Sequence, residues 1–130
     1  MSNTLQKLIE KYPNKPWDWN YLSKNQNITS LFIDENINLP WEYSNLSENK
    51  SLTQQFVKKH KDKNWIWGEC GLSYNSFVTN EFIENNINEN WEYGENGLSE
   101  NSSITSEFID KHLDEDWCWG SLSYNLIINE

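Results

Sequence analysis

Tryptophan recurs along this chain at a nearly constant interval, and that interval constrains the fold more than any other feature. Trp17, Trp41, Trp65, Trp91 and Trp117 open successive units spaced 24, 24, 26 and 26 residues apart. Periods of this length mark arrays of small supersecondary units, each too small to bury its own apolar face. A second column follows two residues on, as Trp19, Tyr43, Trp67, Tyr93 and Trp119, so the two columns together hold all eight Trp. Leu-Ser recurs at Leu22, Leu46, Leu72, Leu98 and Leu122, and Asn recurs three residues after each Leu, at Asn25, Asn49, Asn75, Asn101 and Asn125. An aliphatic residue and Thr come next, at Ile28-Thr29, Leu52-Thr53, Val78-Thr79 and Ile104-Thr105. Phe32, Phe56, Phe82 and Phe108 each lie nine residues before the next Trp. The two extra residues of the longer units fall at one place, Gly-Glu-Cys-Gly (68–71) and Gly-Glu-Asn-Gly (94–97).

A longer period overlies the short one. The second aromatic alternates Trp and Tyr, and the residue four after Phe alternates Asn36, His60, Asn86, His112. A two-repeat unit duplicated over 16–63 and 64–115 accounts for both. The expected organisation is one repeat domain over 1–130. It comprises half-repeats at 1–15 and 116–130 and full repeats at 16–39, 40–63, 64–89 and 90–115.

Local chemistry predicts what one repeat forms. Thr is a good N-cap, because its hydroxyl accepts from a backbone N–H that the helix itself leaves unpaired. The aliphatic residue before Thr and Ile33, Val57, Ile83 or Ile109 four after it form a hydrophobic staple. This predicts a helix of two to three turns. Pro16, Pro40, Asn64, Asn90 or Asp116 then opens a shorter helical turn through Trp to Leu-Ser, since Pro suits the first helical position and Asn or Asp the cap. The recurrent Asn closes that turn in a left-handed conformation. The predicted fold class is all-α, an α-solenoid of about five repeats, each an α-helix plus a shorter helical or 3-10 turn. The alternating W-x-W segments and their glycines also fit β-hairpin repeats, as in choline-binding wall repeats. The helical spacing from Thr to Phe favours the helical form.

The stretch PWDWNYLSKNQNIT (16–29) closely resembles the Trp-rich tandem repeats in proteins of giant amoebal DNA viruses. The resemblance covers nearly the whole chain, and it implies a viral source without implying an activity. Twenty Asn and no Arg or Ala fit an AT-rich viral genome. In architecture the units also resemble leucine-rich variant repeats, which pair an α-helix with a 3-10 helix.

Composition removes several classes. The net charge is −10 and there is no Arg, which opposes nucleic-acid binding, because phosphate contacts need clustered cations. No apolar run approaches a membrane span, and MSNTLQKLIEKYPNK lacks the apolar core of a secretion signal. The expected place is the cytoplasm, of the host if the chain is viral, or a virion. Cys70 and Cys118 are too few for a disulfide framework and occupy different repeat positions. Nineteen aromatic residues argue against disorder. His60 and His112 read as residues at helix C-termini, facing the dipole or water. Five copies of one Ser suit close packing, not a nucleophile. No cofactor or metal is expected, and no catalytic constellation is visible.

What remains is a non-enzymatic interaction module. Residues 1–63 hold nine Lys and seven acids, whereas 64–130 hold one Lys and thirteen acids. An acidic half attracts a protein or peptide with a basic surface. The positions that vary within the fixed frame are the candidates for contact. Between Ser and Asn stand Lys24, Glu48, Tyr74, Glu100 and Tyr124, and Glu92 follows its Trp. Glu48, Tyr74, Glu92, Glu100 and Tyr124 are therefore the expected partner-binding residues, Tyr being enriched at interfaces. A carbohydrate reader using exposed Trp, and a structural virion component, are the alternatives.

Overall fold

A computed structural model describes residues 3–129, with backbone alone for 126–129. The chain is all-helical, with no strand among the described residues. It divides into two compact units, Met1–Trp65 and Ile66–Glu130. No helix among the described residues is long and apolar enough to cross a membrane.

Unit 1 contains α1 (Thr4–Lys11), α2 (Trp19–Lys24), α3 (Ser30–Glu35), α4 (Tyr43–Leu46) and α5 (Gln54–Lys59). Unit 2 contains 3-10 turns at Leu72–Tyr74 and Leu98–Glu100, with α6 (Asn80–Asn85), α7 (Ser106–Lys111) and α8 (Trp119–Asn129).

The Thr-capped helices form as their local chemistry predicts. Thr29, Thr53, Thr79 and Thr105 each accept the backbone N–H of the Phe three residues on, at 3.2, 3.2, 3.1 and 3.3 Å. The staple residues Ile28 and Ile33, Leu52 and Val57, Val78 and Ile83, and Ile104 and Ile109 are all buried. These helices span six residues, under two turns and shorter than expected. The next Trp stops them. Its indole N–H donates to the carbonyl five residues earlier: Trp41 to Asn36, Trp65 to His60, Trp91 to Asn86 and Trp117 to His112, at 2.8–2.9 Å. Each of these carbonyls also accepts the backbone N–H three residues on, from Leu39, Lys63, Glu89 or Glu115, so the indole adds a second bond that ties the helix end to the next repeat.

That bond accounts for the invariant first column. Trp41, Trp65, Trp91 and Trp117 are buried, each against the Phe of the preceding helix at 6.1–6.2 Å between ring centres. The second column, Trp19, Tyr43, Trp67 and Tyr93, packs edge-on to the next first-column Trp at 5.1–5.4 Å. Edge-to-face pairs of this kind contribute about 0.5–1.5 kcal/mol beyond burial. This contact needs an aromatic ring but no N–H, so Tyr serves there as well as Trp.

The second helical segment departs from expectation in two ways. It does not begin at the Pro, Asn or Asp before Trp, because Trp17 and Trp41 lie outside any helix and Asp18 and Glu42 are extended. It begins at Trp19 and Tyr43 instead, after Asp18 and Glu42. In the longer repeats only a 3-10 turn remains. All five turns nonetheless close on one carbonyl, that of the residue after the first Trp. Leu22 and Leu46 donate to Asp18 and Glu42, four residues back; Leu72 and Leu98 donate to Ile66 and Glu92, six back; Leu122 donates to Cys118. The two extra residues are thus looped out beneath a retained hydrogen bond. Cys70 and Asn96 take positive φ (59° and 55°) at the loop tips. A Cβ on Gly71 or Gly97 would lie 2.2 Å from the Ile66 or Glu92 carbonyl oxygen, so both positions require glycine.

The recurrent Asn does end its turn, but not in a left-handed conformation. Asn25, Asn75 and Asn101 have φ between −75° and −87° with extended ψ. The side chain instead ties one repeat to the one before. The Asn49 amide donates to the Ser23 and Asn25 carbonyls, that of Asn101 to Ser73 and Asn75, and that of Asn125 to Ser99 and Asn101, at 2.9–3.2 Å. The recurrent Ser runs a parallel ladder. Ser23, Ser73 and Ser99 are fully buried, and their hydroxyls accept the N–H of Glu42, Glu92 and Cys118, each at 2.9 Å. These Asn and Ser side chains thus pair backbone groups of the neighbouring repeat, among them the Ser23, Ser73 and Ser99 carbonyls, while the Asn25, Asn75 and Asn101 carbonyls also accept the N–H of Ile28, Val78 and Ile104.

Candidate functional site

The Leu-Ser-x-Asn turn decides which side chains are available to a partner. Its Leu is buried in every repeat, Ser23, Ser47, Ser73 and Ser99 are fully buried, and Asn49, Asn75, Asn101 and Asn125 are buried as well. The intervening residue is left to face outward, and Lys24, Glu48, Tyr74, Glu100 and Tyr124 are all exposed.

In unit 2 three of these residues share one cavity. Tyr74, Glu100 and Tyr124, with Ser121 and Asn125, line a concavity of about 440 Å³. Binding pockets commonly fall in the 300–1,000 Å³ range. Tyr74 is 51% exposed and Tyr124 73% exposed, so both rings face solvent. The looped-out insertion orients Glu100: the Asn96 N–H at the loop tip donates to Glu100 Oε2 at 2.9 Å. Among the described residues nothing donates to Glu100 Oε1, and neither Tyr hydroxyl has a partner.

The other two expected residues lie elsewhere. Glu48 belongs to unit 1, where it lines a cavity of about 620 Å³ with Lys24, Lys50 and Tyr21. Two lysines make that lining mixed in charge. Glu92 lines a separate cavity of unit 2, about 370 Å³, with Glu89, Glu115, Asp116, Trp91 and Tyr93. Its Oε2 accepts the Gly94 N–H at 3.0 Å, a local turn contact. Burial, reinforced by the charges of Glu115, Glu84 and Asp114, pushes the Tyr93 phenol from about 10 up to about 12. A neutral phenol among carboxylates is what desolvation and like charge both favour.

The two His residues face carboxylates rather than water. His60 Nε2 meets Asp34 Oδ1 at 3.0 Å, and Lys59 Nζ meets Asp34 Oδ2 at 2.8 Å. The Lys59 and His60 contacts hold the Asp34 carboxyl below its usual range. His112 pairs likewise with Glu84. The alternating Asn36 and Asn86 donate to their own helices, at the Phe32 and Phe82 carbonyls. The Asn/His alternation is therefore an exchange between capping the same helix and reaching back to the preceding one. No cluster of three or more potential metal ligands occurs among the described residues.

Sequence reasoning missed the indole caps. A clue was present: the second column tolerates Tyr while the first never does, which implies that the first needs the indole N–H. Compared with protein-family models, curated proteins and solved structures, the chain has no significant match.

Proposed function

We propose that the chain is a non-enzymatic α-solenoid module of about five repeats that binds a protein partner with a basic surface through its acidic C-terminal half. The carrying observation is the convergence of Tyr74, Glu100 and Tyr124 on one cavity of unit 2. That unit holds thirteen acids and one Lys, so a cationic partner is drawn to it by long-range attraction. Exposed Tyr supplies contact area at little entropic cost. Within each unit, Asn and Ser ladders join consecutive repeats with one geometry, which supports solenoid stacking. The recurrent Ser hydroxyls are engaged by backbone groups, which supports a structural role over a nucleophilic one. The likeness of residues 16–29 to viral repeats supports a viral setting, in host cytoplasm or virion.

A carbohydrate reader would need exposed indoles. Trp119, 58% exposed, is the best candidate, while the four Trp of the first column from Trp41 to Trp117 are buried. The protein-partner reading therefore stands first.

Affinity capture tests it. Wild type and Glu100→Lys/Tyr124→Ala would each be immobilised and the captured proteins quantified by mass spectrometry. Proteins with basic surfaces should be enriched on wild type and depleted about tenfold on the variant, with capture weakening as salt rises. Equal capture by both would overturn the proposal.

A further inference from the structure

We infer that the groove between Tyr74, Glu100 and Tyr124 receives a lysine side chain of an extended peptide segment. This rests on the basic-partner reading and specifies its ligand. Three features of the groove define the ligand.

The first is the pairing of two exposed Tyr rings with one carboxylate. A cation held close to the face of a Tyr ring is attracted by the ring quadrupole, and more strongly when partly desolvated. Tyr74 and Tyr124 lie on the two turns flanking the turn that carries Glu100, and all three line the same concavity. An aliphatic stem can pass along the rings while its charged head reaches the carboxylate. Lysine has that build, a flexible four-carbon stem ending in a compact ammonium.

The second is the occupancy of Glu100. Its Oε2 already accepts the Asn96 N–H at 2.9 Å. Oε1 is left with both lone pairs and Oε2 with one, so Oε1 is the more open of the two. A guanidinium binds best as a fork that uses both carboxylate oxygens, whereas an ammonium is a point charge satisfied by one. With Oε2 part-occupied, the geometry favours the ammonium of Lys over the fork of Arg.

The third is repetition. Tyr74, Glu100 and Tyr124 occupy the same outward position of consecutive repeats, 26 and 24 residues apart. A ligand touching all three runs across successive turns, which suits an extended segment better than a compact one.

The test is fluorescence anisotropy of the full chain with a fluorescein-labelled, amidated peptide, Ser-Gly-Leu-Lys-Leu-Gly-Ser. Companion peptides carry norleucine or Arg in place of Lys. The norleucine peptide should bind at least about tenfold more weakly, and the Arg peptide no better than the Lys peptide. Glu100→Gln should weaken the Lys peptide about tenfold, and Tyr74→Ala or Tyr124→Ala about three- to tenfold each. Glu95→Gln removes an equal charge from an exposed acid outside the groove and should change binding less than about twofold. Both Tyr and both acids are exposed, so thermal melts of the variants should match wild type.

Equal losses from Glu95→Gln and Glu100→Gln would overturn the inference, because binding would then be diffuse attraction. Tighter binding of the Arg peptide would overturn the lysine assignment. If immobilised polylysine retains wild type and Glu100→Gln equally, the basic-partner reading stands and the lysine receptor falls. If wild type binds neither polylysine nor the peptide, both fall.

Discussion

Asn101 offers the sharpest perturbation of the fold. It is 4% exposed, and its side chain makes four hydrogen bonds. Its amide donates to the buried Ser73 and Asn75 carbonyls at 3.2 and 3.1 Å. Its oxygen accepts from the Ser103 N–H and hydroxyl at 3.1 and 2.9 Å. Asn101→Ala removes all four. The two Ser103 groups are half-exposed and can turn to water, so their loss costs little. The Asn75 carbonyl keeps the Val78 N–H at 3.2 Å, but the buried Ser73 carbonyl is left unpaired, at a cost of about 1–3 kcal/mol. The lost packing adds to this, for a total of about 2–4 kcal/mol, a large fraction of a typical domain stability of about 5–15 kcal/mol. Urea unfolding followed by Trp fluorescence, with exposed Ser102→Ala as control, measures it. Asn101→Asp sharpens the test, because it keeps the acceptors but sets a carboxylate against two carbonyls. It should destabilise at least as much at neutral pH. Its folded-state pKa would be raised, so stability should recover as pH falls and be lost again as pH rises through that value. A cost under about 0.5 kcal/mol for Asn101→Ala, in the range of ordinary surface changes, would refute the ladder as a source of stability.

Three further outcomes follow from the geometry. Trp91→Phe keeps a ring against Phe82 but removes the indole N–H to Asn86, and should destabilise by about 2–3 kcal/mol in the same urea assay, whereas Trp67→Tyr in the second column should cost less. Gly97→Ala would drive a Cβ to 2.2 Å from the Glu92 oxygen and should cost more than about 2 kcal/mol, against a smaller effect for Gly94→Ala, whose nearest atom is the end of the Glu92 side chain at 3.1 Å. The folded Tyr93 phenol titrates near 12 against about 10 when unfolded, so its stabilising contribution is full below pH 10 and lost as pH rises toward 12; a Tyr93→Phe variant should lose less stability over that alkaline range, read by circular dichroism.

How much of this was legible in the sequence depended on how local each interaction is. Thr29 and its equivalents could be read as caps because the bond spans three residues and tolerates little else. The buried staple partners were legible for the same reason. The start of the second helical segment was misread because Pro16 or Asn64 suits a helix start locally. In the structure Trp17 and Trp41 stay outside any helix, where each indole reaches back to the preceding helix end. The Asn column was taken for a left-handed terminator because its true partners lie 24–28 residues away, in the neighbouring repeat. At the site, the outward position between Ser and Asn was legible from its variation within a fixed frame. Its grouping was not: Tyr74, Glu100 and Tyr124 meet, while Glu92 turns to another cavity, a division set by the loop that bonds Asn96 to Glu100.

The central claim is that one groove in 66–130 carries partner recognition. Amide chemical-shift mapping of the full chain, titrated with the lysine peptide, tests it most directly. The account predicts shifts concentrated at Tyr74, Glu100, Ser121 and Tyr124 and at the Asn96 amide that holds Glu100, saturating together. Shifts spread evenly over the exposed acids of that half, or confined to residues 3–65, would contradict it.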